Sequence, residues 1–391
     1  MQYFHTRSIQ RFIIFFFSGI LITLLFSCRG SINPPKKVFA DKVLMEDIQL
    51  PEGFKIHKYA ENIVNARSMV YSEELKTLFV GTRKSDKVYA LKDLDGDNII
   101  DKKYIIAEKM NMPNGVAIKN GDLYVAEVDK IWKFSNIGKN LDAYAEKSIT
   151  PELIFDQFPS ETHHGWKYIA FGPDGKLYVP VGAPCNICES DSIYTTITRM
   201  NDDGSNFEII ATGIRNTVGF DWDPANNDLW FTDNGRDWLG DDSPACELNH
   251  LIKEGQHFGY PYCHQGDVLD PEFGKGKNCE DYTAPYQNLG PHVAPLGMEF
   301  YEDKMFPKEY KDAIFIAEHG SWNRSEKIGY RITMVDRSKP VGERYSTFAN
   351  GWYKGNDNVS GRPVDLEWLP DGSLLVSDDF GDAIYRIYYE K

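Results

Sequence analysis

Asn120-Gly121-Asp122-Leu123-Tyr124-Val125 and Pro173-Asp174-Gly175-Lys176-Leu177-Tyr178-Val179 decide the reading of this chain. Each couples a Gly-centred polar turn to a β-rich triplet, the pattern of a hairpin. Pro370-Asp371-Gly372-Ser373, ahead of Leu374-Leu375-Val376, repeats it near the C-terminus. Leu78-Phe79-Val80, Leu229-Trp230-Phe231 and Ile314-Phe315-Ile316 supply three further triplets, making six copies spaced 45, 54, 52, 85 and 60 residues apart. A third strand follows several copies, as in Val88-Tyr89-Ala90-Leu91 and Ile131-Trp132-Lys133-Phe134. A four-stranded propeller blade takes roughly 40–50 residues, more with insertions. The expected fold is therefore all-β, a six-bladed β-propeller over residues 46–391. A β-sandwich or two unrelated β domains fit less well, because the repeats occupy the whole chain. Radial closure also protects the strand edges.

Composition agrees. The 391 residues include 32 Gly, 20 Pro and 14% aromatics, with 42% apolar residues, which excludes a disordered or collagen-like chain. The formal net charge of −15 argues against sequence-independent nucleic-acid binding. Arg7 and Arg11 precede an uncharged apolar run, Phe12 to Phe26, which reads as a secretory signal over residues 1–27. Leu25-Phe26-Ser27-Cys28 looks like a bacterial lipobox, with Cys28 as the lipidated residue and residues 28–45 as a tether. An uncleaved N-terminal anchor is the alternative. Both put the domain outside the cytoplasm, in the periplasm or at the cell surface. Residues 1–27 carry two basic and no acidic groups, so processing takes the charge to −17.

An oxidising compartment favours disulfides. Beyond Cys28, five cysteines remain. Cys185–Cys188 and Cys263–Cys279 are expected as local disulfides, with Cys246 unassigned. The 85-residue interval is expected to carry a disulfide-pinned insertion. Cys188 is not followed by His, so there is no c-type haem attachment motif. Asp93, Asp95, Asp97 and Asp101 surround Gly96, but neither EF-hand register fits. An Asp-rich turn is the preferred reading over a calcium loop.

In four-stranded blades, the loops before first strands and after second strands share one face. Arg67, Asn114, His163, His164, Lys167, Arg215, Asn216 and Arg362 lie 9 to 14 residues before their repeat's leading Leu, at equivalent positions in five repeats. Arg83, Asp233-Asn234-Gly235-Arg236 and His319-Gly320-Ser321-Trp322-Asn323-Arg324 follow second strands. Any one of these cations could simply pair with a neighbouring carboxylate. Together they predict a cationic funnel for a small polyanion in an acidic protein. His164 is the best proton acceptor in the set.

Taken together, these segments resemble the pyrroloquinoline-quinone (PQQ)-dependent sugar dehydrogenases, most closely the L-sorbosone dehydrogenase-like branch (glucose/sorbosone dehydrogenases). The resemblance runs from about Leu50 to the C-terminus. It rests on Pro113-Asn114-Gly115-Val116, on His164 to Gly175, on Gly213 to Gly219, on Phe231 to Arg236, on Glu247-Leu248-Asn249, on Phe258 to Pro261, on His319 to Arg324 and on Gly361-Arg362-Pro363. It implies a six-bladed propeller holding PQQ and Ca2+ in the axial funnel. His164 falls on the general base, with Arg215 and Asn216 beside the cofactor. The backbone carbonyls of Gly235 and Arg236 fall where calcium is bound, and Arg362 on a cofactor carboxylate partner. Lys167, Arg324, His319, Arg67 and Asn114 are further cofactor partners by weaker alignment. The sequence departs from soluble aldose enzymes at Pro113, where they carry Gln, and at Arg236, where Pro is usual. The implied activity is oxidation of a sugar or sugar-derived aldehyde at C1 by hydride transfer to the quinone. A separate electron acceptor, a quinone or cytochrome, would be needed. A calcium-dependent lactonase or esterase and a non-catalytic glycan-binding propeller are the competing readings.

Overall fold

The computed structural model describes residues 45–301 and 305–390; the signal segment, Cys28 and nearly all of the tether lie outside them. Among the described residues, six sheets of four antiparallel strands follow one another around a ring, the third extended by a short parallel strand, Gln256–His257. Blade 1 runs Ala66–Ser72, Thr77–Thr82, Val88–Lys92 and Lys102–Ala107. Every predicted triplet lies in the second strand of its blade, as in Asp122–Ala126, Leu177–Val181 and Leu374–Asp378. Asn120-Gly121 closes a two-residue hairpin between the paired Lys119 and Asp122, with both loop residues at positive φ. Asn and Gly tolerate that conformation best. First strands of neighbouring blades pack on one another, so they ring the axis.

The ring closes through a strand that the repeat does not announce. Phe54–Glu61 pairs antiparallel with Ala383–Tyr389 as the outer strand of blade 6. Phe54 then meets Phe306, Tyr310, Phe348 and Tyr389 in edge-on contacts 4.7–5.4 Å between centroids. Apolar clusters fill the spaces between blades; Phe79, Val88 and Ala90 of blade 1 pack with Val116, Leu123 and Val125 of blade 2. Carboxylates of one inner strand join it to the next, one of them beside the bulge in the first strand of blade 1. Asp365 accepts from Met69 N at 2.8 Å and Glu367 from Tyr71 N at 2.7 Å, linking blade 6 to blade 1. An orphaned buried N–H would cost about 1–3 kcal/mol.

Both expected disulfides are present, and Cys246 is a buried free thiol. In blade 4 an insertion pinned by Cys263–Cys279 separates the third strand, Ala245–Leu251, from the fourth, Gln287–Pro291. Cys246 lies in that third strand rather than in the insertion. The Asp93–Asp101 segment is a turn: Asp93 accepts from Gly96 N and Asn98 N, and Asp101 from Leu94 N. Among the described residues, no helix is long and apolar enough to cross a membrane.

Candidate active site

A cavity of about 530 Å³ opens where the loops before first strands meet those after second strands. Of the expected residues, Arg67, His164, Arg215, Asn216, Gly235, His319 and Arg362 line it, as do Arg83 and His163.

His164 sits in the loop entering blade 3 with φ of 51°, a left-handed conformation uncommon outside glycine. Its backbone is pressed against Gly182: a Cβ there would stand 2.7 Å from His164 Cβ, so only glycine fits. His164 Nδ1 lies 3.0 Å from the Ala183 carbonyl. A carbonyl can only accept, so Nδ1 carries the proton and Nε2 is left as the acceptor. Burial, then the Arg215 and His163 charges, hold His164 well below the usual imidazole pKa. At neutral pH the ring is an unprotonated base.

Arg215 is 4% exposed and tightly held. Nε donates to Asn186 O and Nη2 to Asn186 Oδ1, both at 2.9 Å, while Nη1 donates to Asn234 O at 3.1 Å. Asp237 Oδ2 is 3.3 Å from Nη2. Asn186 itself lies inside the four-residue Cys185–Cys188 disulfide loop. Its Oδ1 also accepts from Asp237 N at 2.8 Å. Below, Asp233 accepts from the backbone N–H groups of Arg215 and Asn216, and burial raises its pKa to about 6.

Opposite stands a second cationic group. Arg67 pairs with Asp379 at 3.0 Å, and His319 Nε2 lies 2.8 Å from the other Asp379 oxygen. Burial first, then Arg362, lowers His319 to about 4. Burial opposes ionisation of Asp379, but His319, Arg67 and Arg362 outweigh it and keep the carboxylate charged. Arg362 donates to the carbonyls of His319 and Gly320 at 3.0 and 2.8 Å. Arg83 lies 3.5 Å over the Trp166 ring, and burial lowers its pKa to about 10. Arg67 Nη2, Arg83 Nε and Trp166 Nε1 are buried donors without a protein partner. Four guanidinium groups, two of them (Arg67 and Arg83) with an unpaired donor, therefore surround one space whose described wall carries a single carboxylate residue, Asp237. A small ligand with several carboxylates fits that donor set.

The remaining expected residues are placed elsewhere. Lys167 is fully buried, with Nζ donating to the Gly165 carbonyl at 2.7 Å, and burial lowers its pKa to about 7. Asn114 lies behind Arg67, accepting from its Nε at 2.9 Å and donating to the Lys167 carbonyl at 2.7 Å. Both support the wall without lining it. The Arg324 side chain binds the Asp241 carbonyl and Asp242. The Arg236 side chain turns to Asp270 and Glu272, so of the two residues expected around calcium only Gly235 lines the cavity. The sequence reading missed Asn186, Asp237, His292 and Asp379. Asp379 follows the second strand of blade 6, the position that already marked Arg83 and His319.

A family profile described as "Glucose / Sorbosone dehydrogenase" matches residues 136–323, and one described as "TrAA12-like" matches residues 268–390. An uncharacterised protein of Borreliella burgdorferi is 34% identical over 361 residues, covering 90% of this chain and 93% of its own length. The chain belongs to the glucose/sorbosone dehydrogenase family. The PQQ-dependent pyranose dehydrogenase of Coprinopsis cinerea is 23% identical over 358 residues, covering 75% of this chain. This chain spans about half (48%) of that relative's length. The holo PQQ domain of that pyranose dehydrogenase superimposes with a TM-score of 0.71 at 19% identity, covering 87% of this chain and 97% of the domain. A calcium structure of the Trichoderma reesei Carbohydrate-Active Enzymes Family AA12 protein gives 0.74 at 18% identity, covering 89% and 98%. At these identities the structural likeness speaks for the fold.

Proposed function

We propose that the protein is a PQQ- and calcium-dependent oxidoreductase that oxidises a sugar or sugar-derived aldehyde at C1. The observation that carries this reading is a neutral, tautomer-fixed His164 beside a buried Arg215, in a cavity lined by four arginines. When bound, PQQ supplies a two-electron quinone acceptor for the substrate hydride. Arg67, Arg83 and Arg362 would hold its carboxylates by charge-assisted hydrogen bonds. Gly235 offers a backbone oxygen to calcium, a cation that takes oxygen ligands. His164 Nε2 takes the proton from the substrate hydroxyl, which its depressed pKa permits at neutral pH. Arg215 places a fixed positive charge where negative charge develops, and its clamp makes that field preorganised.

The test is reconstitution of the full chain with PQQ and calcium, followed by dye-linked oxidation of a panel of aldoses and sugar aldehydes. Turnover that requires both additions supports the reading; failure to bind PQQ at micromolar concentration overturns it. A calcium lactonase would want carboxylates around an axial ion, and the described wall offers only Asp237. Lactone hydrolysis without added quinone tests that alternative. A glycan-binding propeller would keep full binding after His164→Ala, whereas the dehydrogenase reading predicts that turnover collapses. Electrons then pass to a separate quinone or cytochrome. Export and lipid anchoring at Cys28 complete the proposal, and incorporation of labelled fatty acid, abolished by Cys28→Ala, tests them.

A further inference from the structure

Two tryptophans stand at the mouth of the cavity and touch. Trp238 is 65% exposed and Trp322 is 63% exposed; their rings meet edge to face, 5.5 Å between centroids. Trp322 and its neighbour Asn323 also line the cavity, so the pair continues its wall outward. Trp238 has φ of 71°, a strained conformation for a bulky side chain, and it gains no burial in return. The loops carrying the two rings are braced. Ser325 N donates to Asp241 Oδ1 at 3.0 Å, and Arg324 binds the Asp241 carbonyl and Asp242. His292 Nε2 lies 2.7 Å from Gly240 O. The backbone segments that carry the two rings are thus tied to each other and to His292.

An exposed aromatic surface bordered by hydrogen-bonding groups matches one chemistry well. A pyranose presents apolar C–H faces to an indole and hydroxyls to amide and carboxylate oxygens. Asp242, four residues beyond Trp238 and 88% exposed at its side chain, and Asn323, next to Trp322, supply those partners. The two loop segments, 237–242 and 321–327, carry Asp237, Asp241, Asp242 and Glu326 against Arg324 and Lys327, a net negative charge that disfavours an anionic bilayer surface. We propose that Trp238 and Trp322 form an outer subsite for a second pyranose ring, so that the substrate is the end of an oligosaccharide. The proposal deepens the dehydrogenase reading and rests on it for the inner ring, but the sugar binding it describes needs no cofactor.

The test is calorimetric titration of the full chain, without PQQ, using mono- to tetrasaccharides of the β-1,4-glucan, α-1,4-glucan and β-1,4-xylan series. Affinity should rise about tenfold from monosaccharide to trisaccharide in at least one series. Trp238→Ala should remove that increment while leaving monosaccharide affinity within about twofold, and Trp238→Tyr should retain most of it. Equal affinity at all chain lengths, or an increment that survives Trp238→Ala, overturns the proposal. So does Trp238-dependent binding to anionic vesicles or to a cytochrome in place of the glycan increment. If the chain-length increment depends on Trp238 but the reconstituted enzyme oxidises no sugar, the dehydrogenase reading fails and the subsite stands.

Discussion

Replacing Asn186 by alanine tests the least obvious part of the site. Asn186 Oδ1 accepts from Arg215 Nη2 at 2.9 Å and from Asp237 N at 2.8 Å, and Nδ2 donates to Asp237 O at 3.2 Å. The backbone carbonyl still holds Arg215 Nε after substitution. The change therefore removes one hydrogen bond from a buried guanidinium, about 1.5–3 kcal/mol, and leaves a part-buried N–H wanting a partner. A loss of about 2–4 kcal/mol in urea unfolding follows. Arg215 loses its fixed aim, and if about 2 kcal/mol of that is transition-state stabilisation, kcat/KM falls roughly 30-fold. Arg215 also helps depress His164, so the acidic limb of the pH–rate profile should move upward. Asn186→Asp keeps both acceptor roles and should recover most of the activity. The reasoning is refuted if Asn186→Ala loses stability while kcat/KM and the pH profile stay at wild-type values.

Four further outcomes are expected. His164→Asn should lower kcat by about 10²–10⁴-fold while PQQ affinity changes only a few-fold. In the wild type, the base works only when neutral, so its depressed pKa puts the loss of kcat/KM below pH 6.5 as pH falls; a limb above pH 7 would contradict this. Phe54→Ala should cost about 3–5 kcal/mol in urea unfolding, because the ring locks the closing strand against blade 5; a cost below about 1 kcal/mol would show that closure does not depend on it. Lys167 has a folded pKa of about 7 against 10.5 unfolded, so the folded chain binds fewer protons in that window and gains stability as pH rises through it. Lys167→Met should abolish that slope and leave PQQ affinity within about twofold.

The repeat was legible because hairpin chemistry is local: Asn120-Gly121 or Asp371-Gly372 declares a turn whatever surrounds it. Equivalent offsets then located Arg67, His164, Arg215 and Arg362 on one face. The same offset also selected Lys167 and Asn114, whose side chains the local backbone draws beneath the wall, since spacing fixes a loop but not a side-chain direction. In blade 5 the offset fails. Its first strand, Pro295–Phe300, is separated from Ala313–Glu318 by a long connection, so His292 falls out of register with the other blades. Asn186 depends on a disulfide loop meeting a different blade, which no spacing encodes. The closing strand Phe54–Glu61 pairs with residues more than 300 positions away, and nothing nearby marks it as part of blade 6.

The most direct measurement of the central claim is equilibrium binding of PQQ to the full chain in the presence of calcium. The cationic cavity predicts one PQQ per chain with a Kd of about 1 μM or tighter, weakened at least tenfold by Arg67→Ala or Arg362→Ala, each of which removes a fork from its wall. Absence of binding at tens of μM, or binding unchanged in both variants, would contradict it.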